Sequence, residues 1–428
     1  MIFEPELETL PREQLCGLQA ERLRSLVSYV KERVPLYRKR LADAEPGDIA
    51  SVDDLRRLPF TRKDDFRDTY PFGLFAVPRK EVIRIHASSG TTGKLTVVGY
   101  TAGDVDLFAR VNARSLAMAG AEPGMILHNA YGYGLFTGGL GLHYGGERLG
   151  MAVVPVSGGM TERQLMLITD FRPDVISCTP SYALTLAAAL LDKGVDADEI
   201  SLRYALVGAE PWTDGMRAEI DEGLGVRCTN IYGLSEVIGP GVSCECVEAR
   251  SGSHVNEDEF IVEVVDPDTG EQLPDGAEGV LVVTTPTKEA MPLLRYWTGD
   301  VCSLDRGACP CGRTLVRMSH VKGRTDDMLI VRGVNLYPTQ VEAALSPLPE
   351  LSPHYVLVVT RVERLDAVQV RVEVRDGVHR SEELRERCEA VIRESVGLVM
   401  SVELTDPGTL PRSEGGKLQR VVDERALP

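Results

Sequence analysis

Long apolar runs are missing from this chain. Stretches such as Leu186-Ala-Ala-Ala-Leu-Leu191 fall far short of the ~20 residues a membrane-spanning helix needs. Nothing at Met1-Ile-Phe-Glu-Pro-Glu6 resembles the basic segment and apolar core of a secretory signal, so a cytoplasmic protein is expected. Positive charge is also scarce. Lys and Arg number 47 against 64 Asp and Glu, giving a net charge of -17 and a pI near 5.0, which argues against a nucleic-acid or anionic-membrane surface. Nine cysteines in 428 residues are odd in number and partly clustered, and they fit reduced thiols or metal ligands better than a disulfide framework. Internal repeats, low-complexity segments and long charge runs are absent. What remains is ordinary globular composition in a chain long enough for two or three domains.

The stretch His86-Ala-Ser-Ser-Gly-Thr-Thr-Gly-Lys94 is rich in phosphate-binding chemistry. Gly90 and Gly93 let backbone N–H groups approach anionic oxygens, Ser88, Ser89, Thr91 and Thr92 add hydroxyl donors, and Lys94 adds charge. It is not a Walker loop, because two residues separate its glycines, Leu95 follows the lysine, and Thr96 to Thr101 reads as strand rather than helix. A Ser/Gly-rich turn between two strands is the plainer alternative.

Pro11 to Arg40 carries one apolar stripe on an amphipathic helix, broken near Pro35. From Ile83 to Val207 short apolar runs alternate with helical stretches, which implies parallel α/β layers whose ligands gather at the carboxyl ends of the strands. After Ile231 the sequence becomes strand-rich, as an antiparallel or barrel-like subdomain. A tail beyond Gly323-Arg-Thr-Asp-Asp327 reads as a compact α+β unit of about 100 residues. The expected architecture is α/β: a large multi-layer N-terminal domain over residues 1–325, and a small mobile α+β C-terminal domain over 326–428.

Four further stretches carry chemistry. In Asn230-Ile-Tyr-Gly-Leu-Ser-Glu236, Tyr232 is suited to stack on a base and Glu236 to hold Mg²⁺ against phosphate oxygens; a loop with a helix-capping Ser is the alternative. In Tyr296-Trp-Thr-Gly-Asp300, Asp300 is suited to accept from ribose hydroxyls. Gly323 to Pro338 lies at the domain boundary. Pro411-Arg-Ser-Glu-Gly-Gly-Lys417 presents one lysine on a glycine-rich loop.

In this order the five stretches resemble the adenylate-forming superfamily of acyl-CoA synthetases, most closely its phenylacetate-CoA ligase branch, which Tyr131-Gly-Tyr-Gly-Leu-Phe-Thr-Gly-Gly139 and Tyr232 to Pro240 also match. Trp297 stands where the superfamily usually has Arg, which leaves the ribose role of Asp300 intact. The resemblance implies two steps: a carboxylate attacks the α-phosphorus of ATP, then coenzyme A displaces AMP. It assigns the β- and γ-phosphates to Ser88 through Lys94, Mg²⁺ to Glu236, and the developing charge to Lys417. Gly208, Ala209, Glu210, Pro211 and Tyr232 would line the adenine site, with Gly208 shared with the acid pocket, and Asp300 and Arg324 would hold the ribose. Asp326 would be the hinge, and Gly333 would approach the pantetheine tunnel. Tyr131, Tyr133 and Phe136, interleaved with glycines, offer aromatic walls, so phenylacetate or a related aryl acid is the expected substrate. Delivery of the acid to a carrier-protein thiol is the alternative outcome. A homodimer is expected by resemblance.

Cysteine spacing adds a metal reading. Cys309-Pro-Cys311 is a tight pair on a loop, and Cys244-Glu-Cys246 with His254 supplies further soft ligands. Cys246, His254, Cys309 and Cys311 are the expected tetrahedral zinc ligands, with Cys244 as substitute, and four protein ligands would make the zinc structural. The other cysteines, among them Cys178, Cys228, Cys302 and Cys388, read as packing residues.

Overall fold

The computed structural model describes residues 1–88, 95–325, 329–331, 334–362, 365–412 and 420–424. The N-terminal apolar stripe forms the helix Arg12–Arg33, which buries Leu15, Leu23, Leu26, Val27 and Val30. Val34 is extended and Pro35 opens a new helix, Pro35–Arg40, because the residue before a proline is pushed out of the helical region.

A hairpin of β1 (Arg84–Ser88) and β2 (Thr96–Tyr100) pairs from Arg84 opposite Tyr100 to Ser88 opposite Thr96. Next come five strands, β3 (Ile126–Asn129), β4 (Ala152–Val154), β5 (Val175–Cys178), β6 (Tyr204–Gly208) and β7 (Arg227–Leu234). They run parallel in the order β4-β3-β5-β6-β7. The connecting helices Gly138–Leu149, Thr161–Phe171, Pro180–Asp192 and Asp214–Leu224 supply the crossovers that parallel strands require.

After β7 the strands become antiparallel and divide between two sheets. β8 (Gly239–Glu245) and β9 (Ser253–Val255) extend the large sheet, while β10 (Ile261–Val265), β11 (Gly279–Thr284) and β12 (Tyr296–Cys302) build a second one. β13 (Leu304–Asp305) and β14 (Arg317–Met318) return to the edge of the first, making it nine-stranded, and β15 (Gly323–Arg324) completes the second, a four-stranded sheet. The strand-rich region is therefore an open antiparallel sheet plus a sheet extension, not a barrel.

The tail begins with the hairpin β16 (Leu329–Val331) and β17 (Val334–Leu336), followed by β18 (Leu351–Val362), β19 (Leu365–Val374), β20 (Ser401–Thr405) and β21 (Val421–Asp423) in a sheet ordered β20-β19-β18-β21. Helices Pro338–Leu345 and Glu382–Val396 share its core, where Val341, Leu345, Leu384, Cys388 and Ile392 meet Leu357, Val359 and Val370. The tail touches the large domain at the helix Asp214–Leu224. Arg375 donates to Glu219 at 2.7 Å, and a Cβ on Gly215 would lie 2.2 Å from Ser346 Oγ. Among the described residues no helix is long and apolar enough to cross a membrane.

Candidate active site

The carboxyl ends of β6 and β7 open into a cleft lined by Ala209, Glu210, Pro211, Trp212, Asn230, Tyr232, Asp300, His320 and Arg324, with about 620 Å³ of empty space, part of it open to solvent. Its shape follows from close backbone approach. A Cβ on Gly208, the last residue of β6, would lie 2.1 Å from the carbonyl oxygen of Ile231, so only glycine fits there. The next residue, Ala209, has φ 74, a left-handed conformation costly for alanine and a mark of functional turns.

Tyr232 and Asp300 come from different sheets and meet at the cleft floor. The Tyr232 hydroxyl donates to Asp300 Oδ2 at 2.5 Å and Arg324 Nη1 donates to Oδ1 at 2.6 Å. Asp300 and Arg324 face each other across β12 and β15. Arg324 also donates to the Thr298 carbonyl at 3.1 Å. Burial, then the Asp300 charge, pushes the Tyr232 phenol well above its ordinary range, so it remains a donor. Of the residues read from the sequence, Ala209, Glu210, Pro211, Tyr232, Asp300 and Arg324 are thus gathered in one cleft, with Gly208 at its edge.

The cleft wall is braced by contacts the sequence did not disclose. Trp212 Nε1 donates to Asn230 Oδ1 at 3.0 Å. Arg217 makes two hydrogen bonds to Glu245, at 2.9 and 3.1 Å, and His320 Nε2 lies 2.9 Å from Glu245 Oε1. Burial alone would raise the Glu245 carboxyl, but His320 and Arg217 hold it down at about 2. The same His320 Nε2 lies 3.0 Å from Arg217 Nη2, so the three side chains form one cluster.

Glu236 sits in the turn between β7 and β8 and is 8 % exposed. The Tyr296 hydroxyl lies 3.5 Å from Glu236 Oε1. Ser88 ends β1 and is part-exposed; Ser89, Gly90, Thr91, Thr92, Gly93 and Lys94 lie outside the described residues, as do Asp326, Gly333 and Lys417.

The aromatic segment is divided. Tyr131 is buried and its hydroxyl has no hydrogen-bond partner among the described residues. The Tyr133 hydroxyl accepts from Asn129 Nδ2 at 2.7 Å. Phe136 is 38 % exposed and packs over Gly138.

Away from the cleft, Cys246, His254, Cys309 and Cys311 present four ligand atoms all within 4.8 Å of one another. Cys246 and Cys309 sulfurs lie 3.5 Å apart, and Cys311 Sγ is 3.4 Å from His254 Nε2. A tetrahedral zinc with its usual bond lengths separates two sulfurs by about 3.8 Å and sulfur from nitrogen by about 3.6 Å, close to these values. His254 Nδ1 lies 3.3 Å from the Leu315 carbonyl, the outer contact that orients a ligating imidazole. Cys244 is elsewhere, its thiol directed at the Ser115 carbonyl at 3.4 Å.

Residues 26–292 match the AMP-binding enzyme family, and residues 333–425 match the AMP-binding enzyme C-terminal domain. A curated phenylacetate-coenzyme A ligase of Thermus thermophilus is 63 % identical over 99 % of this chain and 100 % of its own length. The chain belongs to the AMP-binding enzyme family, in its phenylacetate-CoA ligase branch. Among solved structures, 2-hydroxyisobutyryl-CoA ligase in the postadenylation state with R3-HIB-AMP is 27 % identical, covers 98 % of this chain and 92 % of its own, and superposes with a TM-score of 0.92. The same ligase with 2-HIB-AMP and CoA in the thioesterification state, 28 % identical over 99 % and 92 % of the two chains, reaches only 0.74. The whole-chain arrangement here is therefore closer to the first, and the contact of the tail with the helix Asp214–Leu224 belongs to that arrangement of this AMP-binding enzyme.

Proposed function

We propose that the protein is an ATP-dependent aryl-acid CoA ligase of the phenylacetate type, acting through an acyl-adenylate and releasing pyrophosphate and AMP. The observation that carries this reading is the Tyr232–Asp300–Arg324 constellation at the mouth of β6 and β7, with Glu236 on the turn that follows. Full-length relatives named phenylacetate-coenzyme A ligase support the acid and support CoA, rather than a carrier-protein thiol, as acceptor.

In the first step the cleft orients adenosine. Asp300 accepts from the ribose hydroxyls, Arg324 fixes that carboxylate, and Gly208 to Pro211 with Tyr232 bracket the base. Ser88 to Lys94 hold the β- and γ-phosphates. The single buried carboxylate of Glu236 suits Mg²⁺, which binds through one or two carboxylates plus substrate phosphates and supplies charge neutralisation there. Lys417 stabilises the charge that develops between carboxylate and α-phosphate, after which the C-terminal domain (326–428) turns about Asp326 away from residues 1–325 and brings Gly333 toward pantetheine. Tyr131 and Tyr133 wall the aryl group, and Phe136 stands at its entrance. Cys246, His254, Cys309 and Cys311 hold a structural zinc, for which four protein ligands at near-tetrahedral spacing are the support. A cytoplasmic homodimer completes the reading.

The test is ATP–pyrophosphate exchange over aryl, heteroaryl and aliphatic acids, followed by CoA addition. Phenylacetate or a close aryl acid should give the highest kcat/KM; preference for a medium-chain fatty acid over every aryl acid would overturn the assignment. Tyr232→Phe should raise the KM for ATP about tenfold with kcat little changed, since it removes one hydrogen bond to a charged group in the ribose site. Initial-rate kinetics at varied ATP check this, and an unchanged KM would remove Tyr232 from the site.

A further inference from the structure

Lys288 is a buried cation for which the adenylation chemistry above has no use. It is 2 % exposed, and among the described residues it makes no ion pair. Its ammonium donates to the backbone carbonyl of Glu236 at 3.1 Å and stands 5.2 Å from the centre of the Tyr100 ring. Burial pulls its pKa down to about 8, against the attraction of Asp104 and Glu236. A charged amine held in the interior without a carboxylate is expensive, and retained groups of this kind concentrate at working sites.

Its root is fixed from both sides. The Thr287 hydroxyl donates to Glu259. The backbone N–H groups of Glu289 and Ala290 donate to the Asp104 carboxylate at 2.7 and 2.8 Å, and Thr101 Oγ1 donates to Glu289 at 2.6 Å. At the other end lies the turn Ser235–Ile238, whose carbonyls are held by buried donors: Lys288 on Glu236, and the Tyr100 hydroxyl on Ile238 at 2.9 Å. The Ser235 and Thr137 hydroxyls meet at 3.3 Å on the same turn. Main-chain torsions of this turn set where the Glu236 carboxylate points.

We infer that Lys288 is a positioning residue for the first half-reaction: through the Glu236 carbonyl it fixes the turn that aims the Glu236 carboxylate at the phosphates. This rests on the adenylation reading of Glu236. Small misplacement of such a group lowers rate strongly, and the second half-reaction, with pyrophosphate gone, does not depend on it.

The experiment compares Lys288→Met, Lys288→Arg and Glu236→Gln in ATP–pyrophosphate exchange and, separately, in thioester formation from synthetic phenylacetyl-adenylate and CoA. Lys288→Met should lose about 30-fold or more in exchange kcat, with the KM for the acid and the thioester-forming rate within about threefold of wild type, and Lys288→Arg should recover most of the loss. Equal loss in both half-reactions, or full exchange activity, overturns the inference. If Lys288→Met does not fold, Lys288→Gln carries the same test. Glu236→Gln separates the levels: if it keeps full exchange, the role of Glu236 falls and that of Lys288 with it. If it loses exchange while Lys288→Met does not, Lys288 alone falls.

Discussion

Lys417→Ala is expected to lower acid-dependent ATP–pyrophosphate exchange by about 10²- to 10³-fold, the usual cost of removing one preorganised charge from a developing transition state. Thioester formation from preformed phenylacetyl-adenylate should stay within a few-fold of wild type, because in the proposed cycle the lysine leaves before CoA attacks. The described residues that flank 413–419 are held by hydrogen bonds. Glu373 accepts from the N–H groups of Gly408 and Leu410 at 3.1 and 2.6 Å and from Arg412 at 2.9 and 2.6 Å. On the other side, Arg420 donates to the carbonyls of Pro353 and Tyr355, each at 3.3 Å. Near-normal exchange in the alanine variant would remove Lys417 from the chemistry.

Loss of a zinc ligand should have the largest effect on stability. Cys246→Ser or Cys309→Ser is expected to reduce bound zinc from about one per chain to near zero and to lower the melting temperature by roughly 10 °C or more, since binding free energies on the order of 10 kcal/mol at structural sites feed into folding. The corner also anchors the N-terminus: Arg313, two residues past Cys311, donates to Glu8 at 2.6 Å and to the Met1 carbonyl at 2.7 Å. Elemental analysis and a thermal scan decide the matter, with Cys244→Ser as the variant that should keep its metal. Protein that melts unchanged without zinc would refute a structural site.

The alternation of apolar runs and helical stretches made the parallel sheet legible, and the helix break at Pro35 fell where proline chemistry put it. The division of the later strands between two sheets was not legible, because a period of two tells which face is buried and not which partner a strand takes. Cys244 and Cys246 share a spacing that would place them on one face of a strand, yet β8 ends at Glu245, and Cys246 leaves it toward His254. Lys288, in Pro286-Thr-Lys-Glu-Ala290, sits in no motif, and its burial comes from tertiary packing that includes the contacts of Asp104 and Thr101 with Glu289 and Ala290. His320 and Trp212 carried no motif, and their place in the cleft wall comes wholly from tertiary packing.

Glu245 and Cys246 are neighbours on the chain, one bracing the floor of the cleft through Arg217 and His320, the other a corner of the four-ligand cluster. Under the proposed zinc reading, metal loading and nucleotide affinity would share this peptide unit as a common lever, and the grip on the nucleotide would report whether the four-ligand corner is intact.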